Sequence, residues 1–218
     1  MMGMVGFIKV PLLLAGGVFF MSSLMSQELF VSAEPASNMP AHSISGKLEA
    51  RFAGASHSGK LMQRYIPEIM FGLNKNWMVH GAAGFSDMFS EKLRWESARV
   101  YAKYRFLSSD DVHTHFRMAA FAQAAHSRNR EQVYDELNLK GDQGGFEGGI
   151  ILTQLCNRLA LSSTLGYLHA TTPRPTPAGG AGFPGQAFNY SLSAGYLVLP
   201  RHYTSFKQTN LNVYAELL

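Results

Sequence analysis

The chain has little cysteine and little charge. Cys156 is the one cysteine among 218 residues, so no disulfide can form within the chain. Charged residues make up 16% of the sequence, and the 19 Lys and Arg residues are scattered, which leaves no basic stripe of the kind that contacts nucleic acid. The 46% hydrophobic content excludes a disordered or collagen-like chain. The sequence therefore predicts a folded domain without disulfides and without a nucleic-acid partner.

Long hydrophobic runs are also scarce, and the clearest one lies at the N-terminus. Residues 10–25 (VPLLLAGGVFFMSSLM) are uncharged and follow a single cation, Lys9. The run is shorter than the roughly 20 apolar residues of a membrane-spanning helix, and it fits a secretory signal peptide better than a buried helix because it has no polar face. We expect residues 1–26 to be the signal, with cleavage after Ser26 or as late as Ala33. The protein is then exported.

After residue 43, apolar and polar residues alternate, as they do in half-buried β-strands. The clearest stretch is 97–106, where one parity reads Ala, Val, Ala, Tyr, Phe and the other reads Ser, Arg, Tyr, Lys, Arg. The pattern predicts nine strands: 44–54, 62–73, 77–86, 97–106, 115–126, 146–156, 159–169, 188–199 and 209–218. Most approach the length of about 9 to 11 residues that a tilted strand needs to cross a bilayer.

The connections between these strands alternate in length. Short links at 74–76 and 157–158 and moderate ones near 108–114 and 200–207 alternate with mostly longer loops at 56–60, 87–93, 127–145 and 171–186. Short turns at one end and long loops at the other are typical of a transmembrane β-barrel. We therefore predict an all-β, antiparallel, up-and-down transmembrane barrel over residues 44–218, after a periplasmic N-terminal segment over residues 27–43.

The predicted number of strands is odd. Bacterial single-chain barrels have an even number, and an unpaired strand edge in lipid costs several kcal/mol per unsatisfied group. The last residues, Glu216, Leu217 and Leu218, also lack the terminal aromatic residue that is common in outer-membrane barrels. Either one strand is missed in this count, or the sequence is a C-terminally truncated part of a larger, even-numbered barrel.

Four segments carry a resemblance to a known group of proteins. They are EPASNMPAHSI from Glu34, YIPEIMFGLNKNWMVHG from Tyr65, RVYAKYRFLSSDDVHTHFRMAAF from Arg99 and LPRHYTSFKQTNLNVYAELL from Leu199. The chain resembles a group of uncharacterised outer-membrane β-barrel proteins of Gram-negative bacteria over nearly all of its length after the signal. The resemblance implies the location and the fold, and a chain that continues beyond Leu218, but no site residues. A more distant likeness, to barrels proposed to pass hydrophobic compounds, rests on architecture alone.

In such a barrel the polar parity faces the lumen and includes many charged residues. The predicted lumen-lining set is Lys47, Glu49, Arg51, Arg64, Glu68, Arg99, Lys103, Arg105, Arg117, Glu147 and Glu216. In a narrow barrel these groups pair with one another and close the lumen, because an unpaired desolvated charge is costly. In a wide barrel the excess of cations lines a passage that favours anions. The size of the complete barrel decides between the two.

Two other patterns offer weaker hints of chemistry. His113 and His115 lie beside two aspartates and could bind a metal, but no third fixed ligand is evident, so a polar turn is the simpler interpretation and no cofactor is expected. For a hydrolase at the outer rim, the Ser and His candidates are His57, Ser58, His126 and Ser127, with Asp87, Glu91 and Glu131 as possible acid partners. No spacing predicts that these groups meet, so we expect no enzyme.

The sequence thus predicts an integral outer-membrane β-barrel that acts in passive transport of small solutes or as a structural scaffold. Its expected partners are outer-membrane lipid, the export and barrel-assembly machinery, and small solutes. Two alternatives remain open. One is a barrel enzyme that acts on lipid or peptide at the outer rim. The other is a soluble exported barrel that binds a small apolar ligand, since such a barrel inverts the same alternation.

Overall fold

The computed structural model describes residue 30 and residues 33–54, 61–88, 90–129, 138–171, 185–200 and 211–217. These residues form nine β-strands: β1 (Ser43–Gly54), β2 (Leu61–Gly72), β3 (Trp77–Ser86), β4 (Arg94–Asp110), β5 (Thr114–Ser127), β6 (Gly145–Cys156), β7 (Leu159–Ala170), β8 (Gln186–Leu199) and β9 (Leu211–Leu217). Among the described residues there is no helix of the length and apolarity that a helical membrane crossing needs. The nine predicted strands are confirmed, with most ends within a few residues of their predicted positions.

All nine strands belong to one antiparallel sheet whose order follows the chain from β1 to β9. Each strand pairs with the next, and the sheet curls into a half-barrel. Within the described residues, β1 and β9 are the two edges of the sheet. The predicted all-β, antiparallel, up-and-down order is therefore confirmed.

The two ends of the sheet differ in the connections that they carry. One end, which we call the turn end, holds the connections 73–76, 111–113 and 157–158, and the opposite loop end holds those of 87–93, 128–144 and 171–185. The turn between β6 and β7 has only two residues, and Asn157 takes the left-handed conformation, with φ 52, that such tight turns favour. The predicted link at 108–114 was too long, because β4 stays paired with β5 as far as Asp110 opposite His115.

The two faces of the sheet carry different residues, as β4 illustrates. Val100, Tyr104 and Phe106 are exposed, whereas Lys103 is fully buried, at 0% exposure. The register aligns exposed apolar positions of neighbouring strands, for example Val100 opposite Gly81. We call this exposed side the apolar face and the opposite side the polar face. The predicted separation of apolar from polar parity is present in the folded sheet.

Two irregularities in β4 interrupt the strict alternation. The first shifts the register opposite Gly84 and Phe85, so that Ser97 pairs with Gly84 and Trp95 pairs with Phe85. Glu96 is the extra residue between them and is buried beside Ser97, as expected for a β-bulge. The second shift follows Arg105. The bulge therefore adds a carboxylate to the polar face that a period of two does not predict.

The polar face also contains a small apolar core. Ala119, Phe121 and Ile151 are buried together on β5 and β6, and Tyr101 packs against them. The ring of Phe121 lies against the paired glycines Gly149 and Gly166. This contact fills the space that those two positions leave without side chains.

Gly149 is the position where an added methyl group has least room. A Cβ there would overlap the backbone carbonyl of Leu165 and would lie 2.7 Å from the Gly166 Cα and 2.8 Å from the Phe121 ring. We expect Gly149→Ala to lower the free energy of unfolding by about 1–3 kcal/mol, as overpacking does in well-packed cores. A titration with urea in detergent, followed by gel mobility, measures this change.

Gly81→Ala is the matched control for this prediction. Nothing lies within 4 Å of a Cβ at Gly81, so we expect a change within about 0.5 kcal/mol. Equal effects of the two substitutions would contradict the close packing described for β6 and β7.

Candidate functional site

The register brings the predicted lumen-lining residues to one side of the sheet. Lys47 lies opposite Glu68, Arg51 opposite Arg64, and Arg117 opposite Thr153. All members of the predicted set share the polar face: Lys47, Glu49, Arg51, Arg64, Glu68, Arg99, Lys103, Arg105, Arg117, Glu147 and Glu216. That this face lines a lumen stays a prediction.

A buried ion cluster occupies the polar face at the loop end. Arg64 lies between Glu96 and Asp142, with its Nε 2.8 Å from Glu96 Oε2 and its Nη2 2.6 Å from Asp142 Oδ1. Arg64 and Glu96 are each 2% exposed. The Asn129 side chain donates a further hydrogen bond to Glu96 at 2.6 Å. The charged groups of the cluster are paired with one another, as buried charges must be, while Asn129 Oδ1 has no hydrogen-bond partner among the described residues.

The segment 138–144 covers this cluster on the polar face. Gly141 has φ +122, a conformation that L residues rarely adopt, and a Cβ there would lie 3.1 Å from Glu96 Oε2 and 3.2 Å from Arg64 Cζ. Its carbonyl accepts hydrogen bonds from the Ser127 hydroxyl at 2.9 Å and from Asn129 at 3.1 Å. The segment is therefore packed down onto the polar face at the loop end.

A second group lies in the middle of the polar face. Glu68 contacts His80 Nδ1 at 3.0 Å and Arg99 Nη2 at 3.3 Å. The ring of Tyr101 lies against both His80, at 4.9 Å between centroids, and Phe121, at 5.7 Å. Among the described residues, His80 Nε2 and Tyr101 Oη are buried without a hydrogen-bond partner. This group combines a carboxylate, a cation and aromatic surfaces.

Glu147 is held by two amide side chains beside this middle group. Gln123 donates a short hydrogen bond to Glu147 Oε2, and Asn189 donates one to Glu147 Oε1 at 3.2 Å. These contacts join β5, β6 and β8. The carboxylate is therefore held by two neutral donors.

Residues 33–40 form a third element, which we call the N-terminal strap. It contains Pro35 and Pro40, which cannot donate to a strand ladder, and it crosses the polar face without joining the sheet. At one end, the backbone N–H of Ala33 donates to Glu216 on β9 at 3.0 Å. In the middle, Ala36 is fully buried in the apolar core and donates to Thr153 Oγ1 at 2.9 Å. The predicted periplasmic segment thus includes a part that packs inside the fold.

The strap lies on the inner face of the curled sheet. Near its other end, the Asn38 side chain donates to the carbonyl of Lys75, beside β3, at 3.4 Å. Its contacts therefore extend from the β3 side of the sheet to β9. Side chains of the face that it crosses are buried, Lys103 and Ile151 among them, whereas the large apolar side chains of the other face are exposed. The polar face is therefore the inner face.

Lys103 is the main anchor of the strap. Its ammonium group donates to Glu34 Oε1 at 2.7 Å, to the carbonyl of Pro35 at 2.6 Å and to the carbonyl of Ser37 at 2.8 Å. Arg117 donates to the Ser37 hydroxyl at 3.0 Å. A fully buried ammonium group needs such a set of acceptors. All three acceptors observed for Lys103 belong to the strap.

The weak metal candidates lie at the turn between β4 and β5. His113 is exposed, and His115 Nδ1 contacts Asp110 Oδ1 at 2.8 Å. Hydrogen bonds from Ser108 and Arg117 lower the pKa of the Asp110 carboxyl to about 2. The described residues hold no group of three or more His, Cys, Asp or Glu side chains that could bind a metal. The Asp110 carboxylate instead pairs with the guanidinium group of Arg117.

Among the described residues, the His and Ser candidates for catalysis at the outer rim lie on opposite faces of the sheet. His126 stacks on Trp95 at 6.3 Å on the apolar face, whereas the Ser127 hydroxyl is bonded to Gly141 on the polar face. Asp87 Oδ1 accepts the backbone N–H of Gln63 at 2.7 Å. Of the remaining candidates, Glu91 is exposed, and His57, Ser58 and Glu131 lie outside the described residues.

Several residues of these groups were not among the predicted site residues. Glu34 lies before the first strand, Glu96 occupies the bulge, and Asn129 and Asp142 belong to a loop. Period-two alternation finds only residues within regular strands. The proline-containing strap next to small residues was the one local signal that could have pointed to an extended segment packed on a sheet.

No protein-family model, curated protein or solved structure matches this chain.

Proposed function

We propose that the chain is an integral outer-membrane β-barrel protein that serves in passive transport of small solutes or as a structural scaffold. The observation that carries this proposal is the exposed apolar face. It bears large side chains on strands across the sheet, among them Ile44, Leu48, Phe52, Ile69, Val100, Ile150, Leu165, Leu192, Val213 and Leu217. In water, such a continuous apolar surface would favour association, whereas lipid accommodates it.

The aromatic residues and the strand lengths support the same proposal. Exposed aromatics lie near both strand ends, with Trp77 at the turn end and Phe146 and Phe188 toward the loop end. Aromatic girdles flank the apolar band of outer-membrane barrels in this way. β1, β2, β6 and β7 have 12 residues each, which at a tilt of about 45° cover about 29 Å, enough for an apolar band of about 25 Å.

The polar face favours a closed resting state of the barrel. Its charges are paired in the loop-end and middle groups, and the strap covers it toward the turn end. Export by the predicted signal belongs to the same proposal, although residues 1–29 lie outside the described part of the chain. Either predicted cleavage point, after Ser26 or after Ala33, leaves Glu34 in the mature protein.

Membrane fractionation combined with a gel of heated and unheated samples tests the proposal. We expect recovery in the outer membrane. A change in mobility on boiling is expected if the edge strands β1 and β9 are joined in a closed barrel, because closed barrels resist unfolding in detergent. Recovery as a soluble periplasmic protein would contradict the proposal and favour a soluble barrel that binds an apolar ligand. Membrane recovery without a mobility change would contradict a closed barrel.

A further inference from the structure

Lys103 is a buried cation whose observed acceptors all come from the N-terminal strap. The three hydrogen bonds of its ammonium group go to Glu34, Pro35 and Ser37. Met78 and Phe121, which lie opposite Lys103 on β3 and β5, carry no charge. If the strap moved away, Lys103 would lose its carboxylate partner together with two carbonyl acceptors.

The surroundings of Lys103 are otherwise basic. Arg105 lies two residues further along the same strand, on the same face, and its positive charge repels that of Lys103. Arg117 donates to Ser37 on the strap as well as to Asp110. Glu34 is the one charged residue of the strap. Its carboxylate therefore pairs with the most deeply buried of these three cations.

We propose that Lys103 is a binding point for a small organic carboxylate, and that the Glu34 carboxylate of the strap occupies this point until the strap moves aside. The inference rests on the proposed function, because a solute reaches Lys103 through a barrel. A carboxylate fits best because the present occupant is one. Displacement of the strap also frees Arg117 Nη1, which donates to Ser37 in the seated state, for the same ligand.

Release of the strap would leave the pairing of the strands intact. It makes no ladder of backbone hydrogen bonds with a strand, and its prolines prevent one. Ala36 is the one strap residue in the apolar core, so little apolar surface is exposed on release. The strands remain paired with each other whether or not the strap is seated.

A reversible crosslink tests whether the strap covers the carboxylate site. The backbone N–H of Ala36 lies 2.9 Å from Thr153 Oγ1, so Ala36→Cys with Thr153→Cys, in a Cys156→Ser background, brings two thiols close to each other. We expect the oxidised double variant to bind propionate, a small organic carboxylate, at least tenfold more weakly than the same protein after reduction. The two single variants, as matched controls, should not respond to reduction. Equal binding by the oxidised and reduced double variant would overturn the proposal.

Binding of propionate tests the carboxylate site itself. We expect calorimetry on the full chain in detergent to show binding of propionate, whereas propionamide, its neutral counterpart, does not bind. Glu34→Gln should lower the half-maximal propionate concentration at least threefold, because the internal competitor loses its charge. Lys103→Met combined with Glu34→Gln should raise it at least tenfold. Unchanged binding in Glu34→Gln would overturn the proposal even if the double variant fails to fold.

Membrane recovery and the mobility change on heating, measured on the same preparations, separate the two failures. Loss of membrane recovery in the unmodified chain contradicts the proposed function and this inference with it. Normal membrane recovery, with no binding of propionate or with no effect of the crosslink on that binding, contradicts only the inference.

Discussion

Val100→Arg abolishes outer-membrane assembly, which is the largest effect that we expect from a single substitution on the apolar face. Val100 is 58% exposed and lies in the middle of β4, opposite the exposed Gly81 on β3 and Ala124 on β5. An arginine facing lipid near the midplane costs about 2–4 kcal/mol. The fraction of protein that is recovered in the membrane and shifts on heating measures the effect.

Val112→Arg is the matched control for this expectation. Val112 is 81% exposed in the turn that follows β4, outside the strand, so the same chemical change is made where water is available. We expect normal assembly. If Val100→Arg also assembles normally, the apolar face does not meet lipid, and a soluble barrel becomes the better interpretation.

The second large effect concerns the buried ion cluster at the loop end. Arg64→Ala leaves Glu96 buried beside Asn129 without its guanidinium partner, and it also frees Asp142. Removal of one partner of a buried ion pair lowers the free energy of unfolding by about 3–5 kcal/mol. Denaturation by urea in lipid or detergent, followed by the unheated gel band, gives the change in stability.

Arg51→Ala is a control at the neighbouring position of the same face. Arg51 lies opposite Arg64 in the register, but its ion pair with Glu49 is 27% and 34% exposed at the two side chains. Pairs of this kind contribute about 0–1 kcal/mol. A loss at Arg51 as large as that at Arg64 would show that loss of a cation, and not burial of the pair, determines the stability.

The strands were predictable because both faces of the sheet constrain the sequence. A residue such as Val100 must differ from its neighbours Arg99 and Tyr101, since successive side chains point to opposite faces. This requirement repeats over strands of ten or more residues and makes the period clear. The two-residue turn at Asn157 and Arg158 was visible for a similar reason, because few residues accept its backbone conformation.

The inner clusters were less predictable because they depend on contacts between residues far apart in the sequence. Glu96 reaches the polar face only because a bulge adds one residue to β4, and nothing in the local alternation requires that bulge. Glu34 reaches Lys103 across 69 positions of sequence. The alternation predicted which strand positions carry the charged residues. The partner of each charge depends on the curl of the sheet, which a period of two does not specify.

The seating of the strap has a consequence for the order of folding. Each strand pairs with its neighbour in the chain, so the sheet can grow by local steps with modest loop-closure entropy. The contact of Ala33 with Glu216 instead joins residues 183 positions apart and requires β9 to be in place. The first residues of the strap therefore find their final position last. The contacts of Lys103 with Glu34, Pro35 and Ser37 need only β4, so the strap can be seated in its middle while its first residue still waits for the last described strand.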